Sequence, residues 1–124
     1  MYTLNNLKLD IMLIPRHDNY FNRAKSNLKF LESSICEIPV VAQGFTSNDS
    51  PYQQNPEDSK YMEIAITEED WITKTLALIE DKQKRIEMGQ KAREYVLTNY
   101  NIKNNAYKWR EAYQNIWNQK QKRK

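Results

Sequence analysis

Three short apolar runs followed by a long helical stretch organise the 124 residues of this chain. Leu9–Pro15 (LDIMLIP), Pro39–Ala42 (PVVA) and Tyr61–Ile66 (YMEIAI) are compact and bounded by polar segments, which predicts three strands. Between the first two, Ser26–Cys36 carries Leu28, Phe30, Leu31 and Ile35, predicting a helix with Ser26 as its N-cap. Strand, helix and strand together read as one βαβ unit. Right-handed crossovers then place the three strands side by side, parallel and in sequence order. Gly44–Lys60 (GFTSNDSPYQQNPEDSK) is rich in turn residues throughout and predicts a polar loop. From Thr67 onward the pattern is helical. Glu68–Glu80 follows Thr67 as cap, with Ile72, Leu76 and Ile79 at helical spacing. Lys82–Asn99 follows Asp81, with Ile86, Ala92 and Val96. Ile102–Gln119 follows Asn101, with Ala106, Trp109, Tyr113 and Ile116 as its stripe. The predicted class is α/β: one domain of three parallel strands with flanking helices and a helical C-terminal half.

Charge placement separates the helices. Glu68, Glu69 and Asp70 fill the first turn after Thr67 with the sign that the helix dipole favours. The Ser26–Cys36 helix does the reverse, with Lys25 at its start and Lys29 one turn in. Like charges four residues apart repel, and a helix N-terminus is already partly positive. A phosphate or diphosphate would relieve the conflict, because the free N–H groups of a first turn form an anion site. The plainer alternative is a solvated helix face on which Lys29 pairs with Glu32.

The segment DIMLIPRHDNYFNRAKSNLKFLESSICEIPVVA resembles the donor-side motif of group 1 (family 4) glycosyltransferases of the GT-B fold. Such enzymes often read as a strand ending in Pro, a polar loop, FNxxKSxxKxxE, a helix and a PVVA strand. Residues IEDKQKRIEMGQKAREYVLTNYN and the Trp- and Tyr-bearing last helix are similar to the family's C-terminal helices. The resemblance implies a partial Rossmann-like donor-binding domain acting on a nucleotide-diphosphate sugar, with no metal and no other cofactor. It also implies a setting in cell-envelope polysaccharide synthesis. Arg16, His17 and Asn22 would line the crevice beyond the first strand. Backbone N–H groups around Lys25–Asn27 and the Ser26 hydroxyl would hold the diphosphate, with charge added by Lys25 or Lys29. Glu32 matches the second glutamate of the family's Glu-x7-Glu motif and would accept hydrogen bonds from ribose hydroxyls. Ala24 stands where the first glutamate would contact the transferred sugar, a departure that leaves the holding of that sugar open.

Within the same resemblance these strands are the last three of about six, so Leu9–Pro15 would normally pair with a strand not present here. An apolar edge strand invites association. The expected partners are a nucleotide sugar and either the N-terminal half of such an enzyme or a second copy. The alternative function is a non-catalytic interaction module that keeps the fold and associates through this edge and the last helix. The catalytic residues are left unassigned, and the chain alone is expected to transfer sugar poorly.

The remaining chemistry is sparse. One histidine and one cysteine, His17 and Cys36, make no zinc site. Lone Cys36 excludes an internal disulfide, fits a reducing cytosol and is expected to pack on the apolar side of its helix. His17 beside Asp18 is read as a polar or sugar-contacting residue before a catalyst. Residues 1–60 carry 6 basic and 7 acidic side chains, and residues 61–124 carry 13 and 9, so the net +3 sits in the second half. The terminal NQKQKRK is read as a solvated tail without specific nucleic-acid binding, making at most peripheral contact with the inner face of a membrane. No apolar run is long enough to span one. Tyr107, Trp109, Tyr113 and Trp117 are expected to form core first and binding surface second.

Overall fold

A computed structural model of the chain describes residues 2–123. The element order is α1 (Tyr2–Asn6), β1 (Met12–Ile14), α2 (Tyr20–Arg23), α3 (Leu28–Ile35), β2 (Val40–Gln43), a 3₁₀ turn (Asp58–Tyr61), β3 (Glu63–Ala65), α4 (Glu68–Glu80), α5 (Lys82–Asn99) and α6 (Ile102–Lys122). The three strands form one parallel sheet in the order β1-β2-β3. Met12 stands opposite Val40, and Ala42 opposite Ile64. The chain is therefore α/β, with flanking helices and a long helical C-terminal part.

Side-chain alternation along β2 divides the core. Val40 and Ala42 face a cluster with Ile14, Phe30, Tyr52, Met62, Ala92 and Val96, beneath α3 and α5. Val41 faces the other way, onto Ala65 and Leu78 with Ile11, Trp71 and Met88 around them. The central strand is thus covered on both faces, as parallel sheets require. At the β1 edge the second layer stops short, and Leu13 is left 48% exposed.

Two backbone approaches lock α5 onto the end of α3. After Ile35 the chain closes a Schellman turn, with Ile38 N–H donating to the Ser33 carbonyl at 3.0 Å and Glu37 N–H to Ser34 at 3.0 Å. The left-handed position of that turn is held by Glu37, at φ 58°, where glycine would be unstrained. Gly89 of α5 lies directly against this turn. A Cβ there would stand 2.0 Å from the Glu37 carbonyl oxygen. One turn on, Arg93 donates to the Ile35 carbonyl at 2.6 Å, closing another free carbonyl of α3.

The caps of the C-terminal half are as read from the sequence. Thr67 and Asp70 form a reciprocal capping box, and Asp81 and Asn101 accept from the first turns of α5 and α6. Backbone N–H groups of Thr67 and Ile66 hold the Asp70 carboxyl below its ordinary range.

Other expectations are corrected. Two strands are shorter than read and one is shifted: Leu9–Ile11 and Pro15 lie outside β1, Tyr61, Met62 and Ile66 lie outside β3, and β2 starts at Val40 and runs on to Gln43. Ser26 is not the N-cap. α3 starts at Leu28 with Asn27 in the cap position, and the side chain of Asn27 makes no cap bond because Asp58 claims it. Lys25 lies before α3, in the turn after α2, so it and Lys29 do not share a helix face. The Ile72, Leu76 and Ile79 stripe of α4 faces outward, because the sheet takes Leu78 and Trp71 instead. Cys36 is half-buried in the turn after α3. The aromatic stripe of α6 is exposed throughout, with Trp109 at 68% and Trp117 at 57%, because α6 leaves the body of the domain after its first turn.

Two stability predictions follow from the α3–α5 contact. Gly89→Ala is expected to destabilise by about 1–3 kcal/mol despite alanine's better helix propensity, because the new methyl group meets backbone. Glu37→Gly is expected to stabilise by about 0.5–1 kcal/mol, relief of the left-handed strain exceeding the added unfolded-state entropy and the loss of an exposed pair with Arg93. Urea denaturation of both variants beside the parent checks the signs; a more stable Gly89→Ala would mean the helices do not approach this closely.

Candidate anion site and the buried Asp58 network

The segment Arg16–Asn27 folds over the carboxyl end of β1 as two successive turns. Asn19 caps α2 by accepting from Asn22 N–H at 2.8 Å, and the Asn22 side chain donates to the His17 carbonyl at 2.9 Å. Arg23 binds Asp18 through its Nε at 2.8 Å and lies 3.5 Å from Asp49, which raises the guanidinium pKa above its ordinary value, the Asp18 hydrogen bond being the main cause. Gln54 reaches back to the Arg23 carbonyl at 2.8 Å. The loop after β1 is thereby fastened to the long loop after β2.

The sequence-read site residues divide on this scaffold. Arg16, His17 and Asn22 lie together in the loop, His17 exposed and Arg16 with its Nε buried and without an acceptor among the described residues. Lys25 donates its backbone N–H to the Asn22 carbonyl at 3.3 Å and sets its ammonium 4.5 Å above the Phe21 ring. The Ser26 side chain is exposed at the mouth of α3, and Lys29 is exposed in its first turn. No acidic residue occupies that turn. The N–H groups of Ser26, Asn27, Leu28 and Lys29 have no acceptor among the described residues. Four such donors and two lysines on adjoining turns can receive an anion by dipole and charge together. Glu32 lies apart from these donors. It is half-buried and lines a groove between α3 and α5 with Leu28, Leu31, Val96, Leu97 and Tyr100. No ion pair between Glu32 and Lys29 forms among the described residues.

Asn27 belongs to a network that sequence reading missed. Asp58 is fully buried, and its carboxylate accepts from Tyr95 Oη at 2.7 Å, Tyr100 Oη at 2.8 Å, Asn27 Nδ2 at 2.6 Å and Asn55 Nδ2 at 3.0 Å. Four donors meet four lone-pair positions. Such a saturated carboxylate has no direction left from which to take a substrate proton, so the arrangement is structural. Burial first, and the Asp58 hydrogen bond next, push the Tyr95 phenol far up; burial also raises Tyr100. Tyr61 stacks on Tyr95 with ring centroids 4.1 Å apart.

An open cavity of about 640 Å³ adjoins this network, lined by Tyr61, Tyr95, Asn99, Asn105 and Lys108 among others. It is not at the α3 mouth. Its size reflects the gap between α5 and the departing α6. Asn99 and Asn105 on its wall already bond backbone carbonyls, and the hydroxyl of Tyr95 is committed to Asp58, so few polar groups are free for a ligand. Among the described residues, no three His, Cys, Asp or Glu side chains cluster as metal ligands.

The network yields a stability prediction with a worked sign. A phenol whose pKa is higher in the folded chain keeps its proton where the unfolded chain loses it. Its contribution is complete below the unfolded value of 10.0 and is lost as pH rises beyond it. Denaturation at a series of pH values is expected to show stability falling above about pH 10, less steeply in Tyr95→Phe. Asp58→Ala is expected to cost about 3 kcal/mol or more at neutral pH, since several bonds to a buried carboxylate vanish at once. A loss below about 1 kcal/mol would show that the network does not carry the fold.

Comparison with family models, with curated proteins and with solved structures finds no match to this chain, so what it does is carried by its residues and their geometry.

Proposed function

We propose that this chain is the donor-side domain of a group 1 glycosyltransferase and binds a nucleotide-diphosphate sugar at the mouth of α3. The observation that carries the reading is the set of four unaccepted N–H groups, Ser26–Lys29, in a helix start that has no acidic residue and is flanked by Lys25 and Lys29. The parallel sheet adds support: in such sheets ligands bind outside the carboxyl ends of the strands, and these donors follow β1. The resemblance of Phe21–Glu32 and Pro39–Ala42 to the family motif names the ligand class.

In this reading the diphosphate is both handle and leaving group. Negative charge grows on it as the glycosidic bond breaks, so N–H groups and ammonium ions already aimed there lower the barrier. The Ser26 hydroxyl and the Lys25 and Lys29 side chains act on the phosphates. Glu32 accepts from the ribose, which requires its carboxylate to turn out of the α3–α5 groove toward the helix start. Cell-envelope polysaccharide synthesis at the cytoplasmic side of a membrane is the proposed setting. Among the described residues, no helix is long and apolar enough to cross a membrane.

A second reading has its own observation. β1 is an edge strand with Leu13 half exposed, and α6 buries none of its described residues. A non-catalytic module that joins another chain through these surfaces would look the same at the level of the fold.

An NMR titration of the labelled chain with UDP and with GDP separates the two. Saturable shifts confined to Arg16–Glu32, weakened several-fold by Lys29→Ala and by Glu32→Ala, are expected for the donor site. A well-folded sample without shifts from either nucleotide removes the donor reading and leaves the interaction module.

A further inference from the structure

α6, the longest helix among the described residues, contributes no side chain to the α3 mouth. Beyond Asn105 every described residue of α6 is exposed. Asn104 and Asn105 tie its first turn to the end of α5 through the carbonyls of Thr98 and Asn99, and no residue of the following turns is buried among the described residues. Those turns are not polar all round. Ile102, Trp109, Tyr113, Ile116 and Trp117, spaced seven, four, three and one residues apart, fall within about 100° of one another at 100° per residue, which places them along one face. Trp109, Tyr113 and Ile116 are each more than 60% exposed. Water is a poor neighbour for such a ridge.

Charge chooses among the surfaces that could cover it. The helix and the residue after it carry Lys103, Lys108, Arg110, Lys120, Lys122 and Arg123 against a single acid, Glu111. At 100° per residue, Arg110 and Lys103 lie along one border of the apolar face while Glu111 falls on the opposite side. A second copy would bring an equally basic helix against this one with one acid to offset it, so self-pairing is repelled. Nucleic acid would be met by an apolar ridge where cations should contact phosphate. An anionic bilayer satisfies both halves of the pattern. Trp and Tyr rings suit the boundary between headgroups and acyl chains, and flanking Lys and Arg side chains reach the phosphates.

We propose that α6 is an in-plane membrane-binding helix that seats the chain on an anionic lipid surface by its Trp109–Trp117 ridge. Its length of about 30 Å lies along the surface rather than through it. This assignment is independent of the α3 site, since no residue of α6 contributes to that site.

The test is co-sedimentation of the full chain with vesicles, read together with tryptophan emission. Vesicles of phosphatidylcholine containing about one-third phosphatidylglycerol are expected to bind at least roughly tenfold more tightly than phosphatidylcholine alone, and added salt should weaken the binding. The emission should shift to the blue as Trp109 and Trp117 leave water. Trp109→Ser/Trp117→Ser and Lys103→Gln/Arg110→Gln each change exposed side chains, so circular dichroism should be unchanged while vesicle binding falls about tenfold. Absence of binding to anionic vesicles overturns the proposal. So does binding that survives both double variants. A concentration-dependent dimer abolished by the tryptophan variant, without vesicle binding, would assign the ridge to a second copy, and tighter binding to an oligonucleotide than to vesicles would assign it to nucleic acid.

Discussion

The Asp58 carboxylate is the point on which the arrangement of this domain turns. It gathers Asn27 from the start of α3, Asn55 from the long loop, Tyr95 from the C-terminal part of α5 and Tyr100 from its C-cap. Burying a carboxylate is costly unless its lone pairs are filled, and here each has a donor. Having been filled, it enforces geometry. α3 must begin where Asn27 can reach, the 3₁₀ turn must sit against α5, and Tyr95 must stack beside Tyr61. The long loop after β2 carries little regular structure, yet it is held at its C-terminal end by Asp58 and along its middle by the contacts of Asp49 and Gln54 with Arg23.

That constraint shapes the α3 mouth. The Asn27 side chain is turned to Asp58 and makes no cap bond to the helix it precedes, and the first-turn N–H groups are left open among the described residues. Elsewhere in the chain every long helix start is closed by its own cap. A structural carboxylate thus keeps a set of donors available, and the nearby lysines add the charge that makes an anion welcome. The donor proposal and the packing of the domain meet at one residue.

At the other end of α3 the logic is steric. Gly89 brings α5 to backbone contact with the Glu37 turn, and Arg93 covers the Ile35 carbonyl. α3 is therefore held at its start by hydrogen bonds to a carboxylate and at its end by close approach of another backbone. Its first turn is presented by a fixed scaffold, which suits recognition that depends on the direction of N–H dipoles. α6 is the opposite case, a long helix attached through its first turn, whose apolar ridge is exposed.

Local patterning in the sequence determined the class of the fold: apolar runs of strand length, the βαβ order, the caps Thr67, Asp81 and Asn101, and hence a parallel sheet in sequence order. These features depend on neighbours within a few residues, and handedness supplies the topology. Near the α3 mouth, Lys29 and the acid-free helix start were legible for the same reason. What only the tertiary structure decided lies between residues far apart in the chain. Asp58 reads as one more polar loop residue until Tyr95 and Tyr100, 37 and 42 positions away, converge on it. Asn27, not Ser26, holds the cap position, and its side chain is bound to Asp58, 31 residues away, rather than to the first turn of α3. The outward faces of α4 and α6 follow the same rule: helical spacing identifies an apolar stripe, but only the placement of the sheet decides which stripe is covered, because burial is a property of what lies opposite.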